Sequence, residues 1–326
     1  MPRPFKIAAV QACSAYMDRE ATITKACRLI AEVGAAGAEL AVFPEAFVPG
    51  YPIWVWFIPA GHTHPLREIY AELVANAVAV PSATTDELCA AAKKAHVAVA
   101  IGINEVNREA SGTTLYNTLL YISPDGRLLG KHRKVMPTGG EKLVWGLGDG
   151  SDLEVYDLPF GRLSGLICWE NYMPLARYAL SSWGTEIFIA PTWDRGEPWL
   201  STMRHVAKEG RCFVVGCCSA VRKDDIPDRL AFKQKYMAAV DGWINPGDSV
   251  IVDPDGKIVV GPVSQAESIL YAELDRAKIT GPRWQLDIGG HYARPDIFEL
   301  IVHRKSKPLV TVSHDPAGDP RESGKA

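Results

Sequence analysis

Apolar and polar residues alternate along the chain with two different periods. Short apolar runs between turn residues predict strands, and longer stretches with an apolar residue every three or four positions predict helices. The strands are predicted at 5–11, 39–43, 97–103, 115–122, 163–167, 186–190 and 212–218, and the helices at 19–34, 66–79, 85–95, 173–182 and 198–209. Because strands and helices alternate, the pattern predicts an α/β fold with substantial parallel pairing.

The two halves of the chain contain similar segments. GAELAVFPE at 37–45 and GTEIFIAPT at 184–192 share a glycine, a glutamate, an apolar strand and a proline. Each half also contains Pro-Asp-Gly, at 124–126 and 254–256, which predicts a tight turn between strands. We therefore predict pseudo-duplicated halves that form a four-layer αββα sandwich, with two mixed sheets packed face to face. A single doubly wound sheet is the alternative that the pattern leaves open.

Composition and charge narrow the class of protein. The 326-residue chain has a net charge of −3 and no long charge run, so it lacks the electrostatic signature of a protein that binds nucleic acid or a membrane surface. It shows no signal-peptide pattern and no apolar segment long enough to span a bilayer. We predict a cytoplasmic protein with one domain over residues 1–313 and a disordered tail at 314–326.

Seven cysteines are spread over the chain without a regular spacing. They lie at positions 13, 27, 89, 168, 212, 217 and 218. This arrangement matches neither a disulfide framework nor the usual zinc motifs, although three of the cysteines come soon after His205. We predict reduced thiols and no metal site.

Three reactive side chains come at the ends of predicted strands. Cys168 follows LSGLI and precedes a helix, Glu45 follows AVFP, and Lys134 follows LLGKHR. Singly, each has an ordinary interpretation as a core thiol, a capping or solvated carboxylate, and a solvated basic run. Together they would supply a thiol that attacks, a base that removes its proton and a cation that stabilises developing charge. No histidine has a comparable position near Cys168 in the sequence.

The surroundings of two of these residues predict their ionisation. Phe43, Phe47 and Tyr51 lie close to Glu45 in the sequence, so we expect desolvation to raise the pKa of this carboxyl group, as suits a general base near neutral pH. The helix start that follows Cys168 would favour the thiolate form of its side chain.

Four motifs have the order and spacing of one known family. They are FPEAFVPGYP around Glu45, HRKVMPTGGEKLVWGLGDGS at 132–151, CWENYMP from Cys168, and GHYARPDIF at 290–298. With them the sequence resembles the nitrilase superfamily, and within it the nitrilase branch. The resemblance implies the αββα fold and a catalytic triad of Glu45, Lys134 and Cys168. It also implies that Glu141 holds the lysine and helps to orient the substrate, and that the backbone amide of Trp169 helps to hold developing negative charge.

The activity implied by this resemblance is hydrolysis of a nitrile to the carboxylic acid and ammonia. The intermediates would be a thioimidate and a thioester on Cys168, with amide as a minor product and without any cofactor. An amidase of the same fold and a catalytically silent assembly protein remain alternatives, although Trp169 differs from the residue that the amidases have there. Aliphatic, aromatic, arylaceto and cyano-amino-acid nitriles are all compatible with the sequence.

Five aromatic residues are candidates for the walls of an apolar substrate pocket, although aromatic residues are also common core material. They are Tyr51, Trp54, Trp145, Trp169 and Trp193. The resemblance further implies homodimers that assemble into a larger homo-oligomer or spiral. Two segments, 54–70 and 222–246, look like insertions that serve as interfaces or as lids.

Overall fold

Strands and helices alternate along the residues that the computed structural model describes, which are 3–306 and 310. The strands are β1 (Phe5–Gln11), β2 (Leu40–Val42), β3 (Ala98–Val106), β4 (Leu115–Ile122), β5 (Leu128–Arg133), β6 (Tyr156–Leu158), β7 (Gly161–Gly165), β8 (Ile187–Thr192), β9 (Phe213–Cys218), β10 (Ala220–Arg222), β11 (Trp243–Val252), β12 (Ile258–Ser264) and β13 (Ser268–Leu274). The α-helices are α1 (Arg19–Ala35), α2 (Thr63–Asn76), α3 (Ala83–Ala95), α4 (Pro174–Ser182), α5 (Gly196–Gly210), α6 (Ala231–Tyr236) and α7 (Ala277–Gln285). All the strands and helices that the sequence predicts are present, with shifted ends. The predicted tail at 314–326 lies outside the described residues.

The strands form two mixed sheets. One sheet has the order β13-β1-β2-β3-β4-β5, and the other has the order β10-β11-β9-β8-β7-β6 with β12 paired to β11. The centre of each sheet is parallel, since β2 pairs in parallel with β1 and β3, and β8 pairs in parallel with β7 and β9. The antiparallel strands lie around these centres.

Three apolar clusters hold the layers together. One joins the two sheets and includes Ile7 and Leu119 from the first sheet and Ile189 from the second. Another packs α1 and α3 on the outer face of the first sheet, and a third packs α4 and α5 on the outer face of the second. The predicted four-layer αββα sandwich is therefore confirmed, and the single doubly wound sheet is excluded.

The pseudo-duplication is real but incomplete. Both Pro-Asp-Gly segments form the predicted turns, one between β4 and β5 and one between β11 and β12, with positive φ at Gly126 and Gly256. The last strand, β13, breaks the symmetry because it crosses to the first sheet and pairs antiparallel with β1. A repeat in the sequence does not indicate this exchange, since the partner of β13 lies some 260 residues earlier in the chain.

Residue alternation on β4 and β5 determines which polar groups enter the space between the sheets. Asn117 and His132 are in phase with Leu119 and face the second sheet. Thr118 and Arg133 have the opposite phase and bind Glu105 on the helix side of the sheet. One end of the space between the sheets is therefore polar, although most of that space is filled by apolar side chains.

The two segments that look like insertions pack against each other. The ring of His62 lies 2.9 Å from the hydroxyl group of Tyr236, and both segments contribute side chains to one apolar cluster that includes Trp54, Ile58 and Phe232. They contain α6 and the first half of α2. Their role as interfaces or lids stays a prediction.

Candidate active site

Three buried charged groups form a connected cluster between the sheets. The ammonium group of Lys134 donates hydrogen bonds to Oε1 of Glu45 and to Oε2 of Glu141, both at 2.7 Å. All three side chains are at most 1% exposed. A cation and two carboxylates that are removed from water in this way interact much more strongly than they would at a surface.

Glu45 reaches this cluster because the loop after β2 passes very close to β3. A Cβ atom at Gly102 would lie 2.3 Å from the carbonyl oxygen of Pro44 and 2.4 Å from the amide nitrogen of Ala46, so only glycine allows this approach. The amide group of Trp193, at the end of β8, donates to Oε2 of Glu45 at 2.8 Å. Glu45 therefore connects the two sheets.

Cys168 lies in a strained turn after β7. Its φ is +54°, which is unusual for a residue with a side chain. A short 3₁₀ helix, Cys168–Tyr172, follows before α4. The side-chain amide of Asn171 donates to the carbonyl oxygen atoms of Leu166 and Cys168 at 3.0 and 2.8 Å and so closes the turn. The elbow between a strand and a helix that the sequence predicts is present.

The thiol group of Cys168 is buried beside the charged cluster. Burial, the largest cause, and the neighbouring carboxylate of Glu45 raise the pKa of this thiol far above its ordinary value, while Lys134 opposes them. Desolvation and two nearby carboxylates therefore outweigh the preference for a thiolate that the helix start would give. At neutral pH the free site therefore holds a protonated thiol that needs a base.

Glu45 has the ionisation that such a base needs. Burial raises its pKa to about 7, with Lys134 and Asn117 lowering it and the charge of Glu141 raising it. For Lys134, burial alone would lower the pKa, but Glu45, Cys168 and Glu141 together raise it above its ordinary value. Lys134 is therefore charged at neutral pH, whereas Glu45 exchanges a proton in that range, as predicted from its apolar surroundings.

Three of the five aromatic candidates surround the cluster. The ring of Tyr51 stacks on Trp193 with 4.4 Å between centroids and meets Trp145 edge-on at 5.6 Å. The hydroxyl group of Tyr51 donates to Oε1 of Glu141 at 2.7 Å. The ring of Trp145 lies 5.8 Å from Nζ of Lys134.

The other two aromatic candidates differ in their surroundings: Trp54 packs in the same apolar cluster as Tyr51 and Trp145, whereas Trp169 lies at the surface. Trp54 is buried and lines a cavity of about 260 Å³ that none of the four catalytic candidates lines. Trp169 is 50% exposed, and its indole donates to Oδ2 of Asp194 at 2.8 Å. Their role in binding substrate stays a prediction.

This arrangement of thiol, carboxylates and ammonium lies within a recognised family. Residues 6–283 match the family model described as carbon-nitrogen hydrolase. The chain belongs to the carbon-nitrogen hydrolase family. The match covers all four catalytic candidates and the five aromatic ones.

Relatives of this carbon-nitrogen hydrolase agree in length and fold. It is 45% identical over 308 residues to an aliphatic nitrilase of Sinorhizobium fredii (strain HH103), a match that covers 94% of this chain and 98% of the relative. It is 42% identical over 307 residues to nitrilase 2 of Arabidopsis thaliana, covering 93% and 89% of the two chains. The structure of Nit3 from Saccharomyces cerevisiae, a member of branch 10 of the nitrilase superfamily, superposes with a TM-score of 0.70 at 22% identity, covering 90% of this chain and 97% of that one.

Sequence reasoning missed three polar residues of this carbon-nitrogen hydrolase site. The side-chain amide of Asn117 donates to Oε1 of Glu45 at 2.7 Å. His132 binds Glu170 at 2.9 Å, and Glu170 also accepts from the amide groups of Ile167 and Val135. A histidine therefore does lie near the Cys168 turn, although it pairs with a carboxylate. The available signal for Asn117 and His132 was a polar residue in phase with the apolar face of β4 or β5.

Within the described part of this carbon-nitrogen hydrolase, no three His, Cys, Asp or Glu residues are grouped so that they could hold a metal ion. Over the same residues, no helix has the length and apolar character needed to cross a membrane.

Proposed function

We propose that this carbon-nitrogen hydrolase is a nitrilase that converts a nitrile to the carboxylic acid and ammonia. The observation that carries the proposal is the buried cluster of Glu45, Lys134 and Glu141 beside the protonated thiol of Cys168. The relatives named as nitrilases support the substrate class, since one is 45% identical over nearly the whole chain.

The first step activates a thiol that is not acidic on its own. Glu45, whose pKa is about 7, takes the proton of Cys168 as the sulfur attacks the nitrile carbon. The nitrile nitrogen then receives that proton, which leaves a neutral thioimidate on Cys168 and restores the carboxylate. Proton transfer to a positioned carboxylate contributes about 10²- to 10⁴-fold to such a step.

The second step adds water and releases ammonia. Glu45 removes a proton from water as the oxygen adds to the thioimidate carbon, and Lys134 stabilises the charge of the tetrahedral intermediate. Once its nitrogen is protonated, ammonia leaves and a thioester remains. A second water molecule cleaves the thioester to give the carboxylic acid and the free thiol, so the balance is one nitrile and two waters to one acid and one ammonia.

Amide is the minor product of the same intermediate. If the sulfur leaves the tetrahedral carbon before the nitrogen does, one water has been consumed and the amide is released with a free thiol. The ratio depends on whether the nitrogen or the sulfur is protonated first. Glu141 bears on this choice because it binds Lys134 and is itself fixed by Tyr51.

Ammonia release from purified protein tests the proposal. We expect release from a panel of aliphatic, aromatic, arylaceto and cyano-amino-acid nitriles to exceed release from the matching amides, and the panel identifies the preferred class. Faster release from the amides would instead support an amidase of the same fold. The third candidate, a silent assembly protein, predicts no release from either and no adduct on Cys168.

Organisation and location complete the proposal. A single catalytic domain over residues 1–313 is supported by the continuous match from residue 6 to residue 283. Seven free cysteines support a reducing compartment, and thus the cytoplasm. A homodimer that assembles further is supported by exposed apolar side chains on Trp169, Tyr172 and Leu175. Light scattering measures the assembly, and a monomer at all concentrations would contradict it.

A further inference from the structure

The hydrogen bonds of Glu45 use its two oxygen atoms unequally. Oε1 accepts from Nδ2 of Asn117 and from Nζ of Lys134, both at 2.7 Å. Oε2 accepts from the backbone amide of Trp193 at 2.8 Å. Since a carboxylate oxygen has two lone pairs in its plane, both sites on Oε1 are occupied and one site on Oε2 remains for a proton.

The orientation of the Asn117 amide follows from chemistry. Its nitrogen must face Glu45, because the reversed amide would place Oδ1 against the carboxylate oxygen, where two acceptors repel each other. In this orientation Oδ1 is buried and has no hydrogen-bond partner among the described residues. Asn117 therefore leaves one acceptor unsatisfied while its amide group donates to Glu45.

We propose that Asn117 is a positioning residue for proton transfer: by occupying Oε1 of Glu45 together with Lys134, it makes Oε2 the oxygen atom that receives the proton of Cys168. The proposal deepens the nitrilase function above and rests on it for the identity of the substrate. It does not rest on the nitrile for the proton transfer itself, which the thiol of Cys168 undergoes with any electrophile.

Loss of this hydrogen bond has two separate consequences. Glu45 keeps its hydrogen bonds to Lys134 and Trp193 but gains an open acceptor site on Oε1, so the proton is no longer directed to Oε2 and its transfer slows. The ionised form of Glu45 also loses a donor, and Asn117 is one of the groups that lower its pKa. Without it, the pH below which Glu45 is protonated and inactive moves upward.

Asn117→Leu is the sharpest variant, because leucine has nearly the shape of asparagine but no donor. We expect kcat to fall about 10- to 100-fold with KM within about twofold, since the lost interaction acts on proton transfer and not on binding. We also expect the acidic limb of the kcat/KM profile to move up by about one pH unit. Asn117→Ala should give the same direction and serves if the leucine variant fails to fold.

Thr118→Val is the matched control on the same strand. Thr118 donates to another buried carboxylate, Oε2 of Glu105, at 2.8 Å, but on the opposite face of the sheet. This variant should lose a comparable amount of stability and keep the acidic limb of wild type. A shift of the limb in Thr118→Val equal to that in Asn117→Leu would show a general effect of destabilisation and would overturn the proposal.

Alkylation of Cys168 by iodoacetamide, followed by peptide mass spectrometry across the pH range, separates this proposal from the nitrilase assignment. If wild type releases no ammonia from nitriles but the alkylation rate of Cys168 has an inflection that moves up in Asn117→Leu, the nitrilase assignment fails and the positioning role stands. If folded Asn117→Leu and Asn117→Ala alkylate and turn over with the profile of wild type, the positioning role fails.

Discussion

Glu45 and Glu170 are two buried glutamates whose pKa values are shifted in opposite directions. Each is 1% exposed, and burial alone would raise the pKa of both. Glu170 nevertheless has a lowered pKa, because His132 and the amide groups of Ile167 and Val135 stabilise its charge. Burial raises the pKa of Glu45 to about 7, since Lys134 offsets only part of the desolvation and the charge of Glu141, which shares this lysine, raises the pKa further. Burial by itself therefore does not make a general base.

The difference assigns the two carboxylates to different tasks. Glu170 accepts hydrogen bonds from the amide groups of Ile167, which precedes Cys168, and Val135, which follows Lys134. Its carboxylate stays ionised and holds these two segments together. Glu45 is poised between its two protonation states, which is what catalysis requires and what stability does not. The same loss of charge should therefore affect activity at one position and stability at the other.

Glu45→Gln should produce the largest effect on turnover. We expect kcat/KM for a nitrile to fall at least about 10³-fold, because glutamine keeps the shape but cannot take the thiol proton. Ammonia release measures the loss. Glu105→Gln is the control, since Glu105 is equally buried but pairs with Lys131 and Arg133 outside the site. If Glu105→Gln loses as much activity while both variants remain folded, the loss at position 45 would not identify Glu45 as the general base.

Lys134→Ala should be the next most damaging change. Removal of one donor to developing charge typically costs about 10²- to 10³-fold in rate, and we expect a folded but nearly inactive protein. Lys131→Ala is the matched control, because Lys131 binds Glu105 at 2.6 Å on the other face of the sheet. Circular dichroism checks folding and ammonia release checks rate. Near-normal turnover in Lys134→Ala would remove the lysine from the mechanism.

Glu170→Gln should affect stability more than Glu45→Gln does. Breaking a fully buried pair with His132 costs about 3 kcal/mol, whereas Glu45→Gln relieves repulsion between two carboxylates that share one lysine. Urea denaturation measures both changes. A double-mutant cycle with His132→Gln should show strong coupling between His132 and Glu170. Equal losses of stability at the two glutamates would contradict the comparison.

The pH profile should show a smaller, graded effect. Glu45 must be ionised to accept the thiol proton, and its pKa is about 7, so kcat/KM should fall about tenfold per pH unit as the pH drops below about 7. The lowered pKa of Glu170 keeps it ionised through this range. A flat profile between pH 5 and pH 8, tested for structure by fluorescence, would show that Glu45 is not the titrating base.

Tyr51→Phe should give the smallest loss. The hydroxyl group of Tyr51 donates to Glu141 and not to a reacting group, so we expect about a tenfold fall in kcat/KM, the value of one hydrogen bond to a charged group. Tyr70→Phe is the control, because its hydroxyl donates at 2.7 Å to the carbonyl oxygen of Thr113 outside the site. Equal losses in the two variants would assign Tyr51 a structural role only.

Local pattern was sufficient to predict the elements that carry the site. The Pro-Asp-Gly turns, the apolar strands and the ends of strands near Glu45, Lys134 and Cys168 all follow from short-range rules, and the structure has them in place. The return of β13 to the first sheet does not follow, because pairing with β1 is decided by tertiary packing.

Partners of buried polar residues were the other part that the sequence could not supply. Asn117 and His132 read as isolated polar residues in strands, and only the contact between distant segments shows that one binds Glu45 and the other Glu170. The assignment of Trp54 and Trp169 to the substrate pocket stays a prediction, because their contacts alone do not locate the bound substrate. The raised pKa of Cys168 also depends on Glu45 and Glu141, which lie far from it in the sequence.

Mass spectrometry of protein quenched by acid during turnover of a nitrile tests the central claim most directly. We predict that the peptide containing Cys168 carries the added mass of the thioimidate or thioester, and that Cys168→Ala shows neither the adduct nor ammonia release. An adduct on another of the seven cysteines, or undiminished ammonia release from Cys168→Ala, would contradict the account.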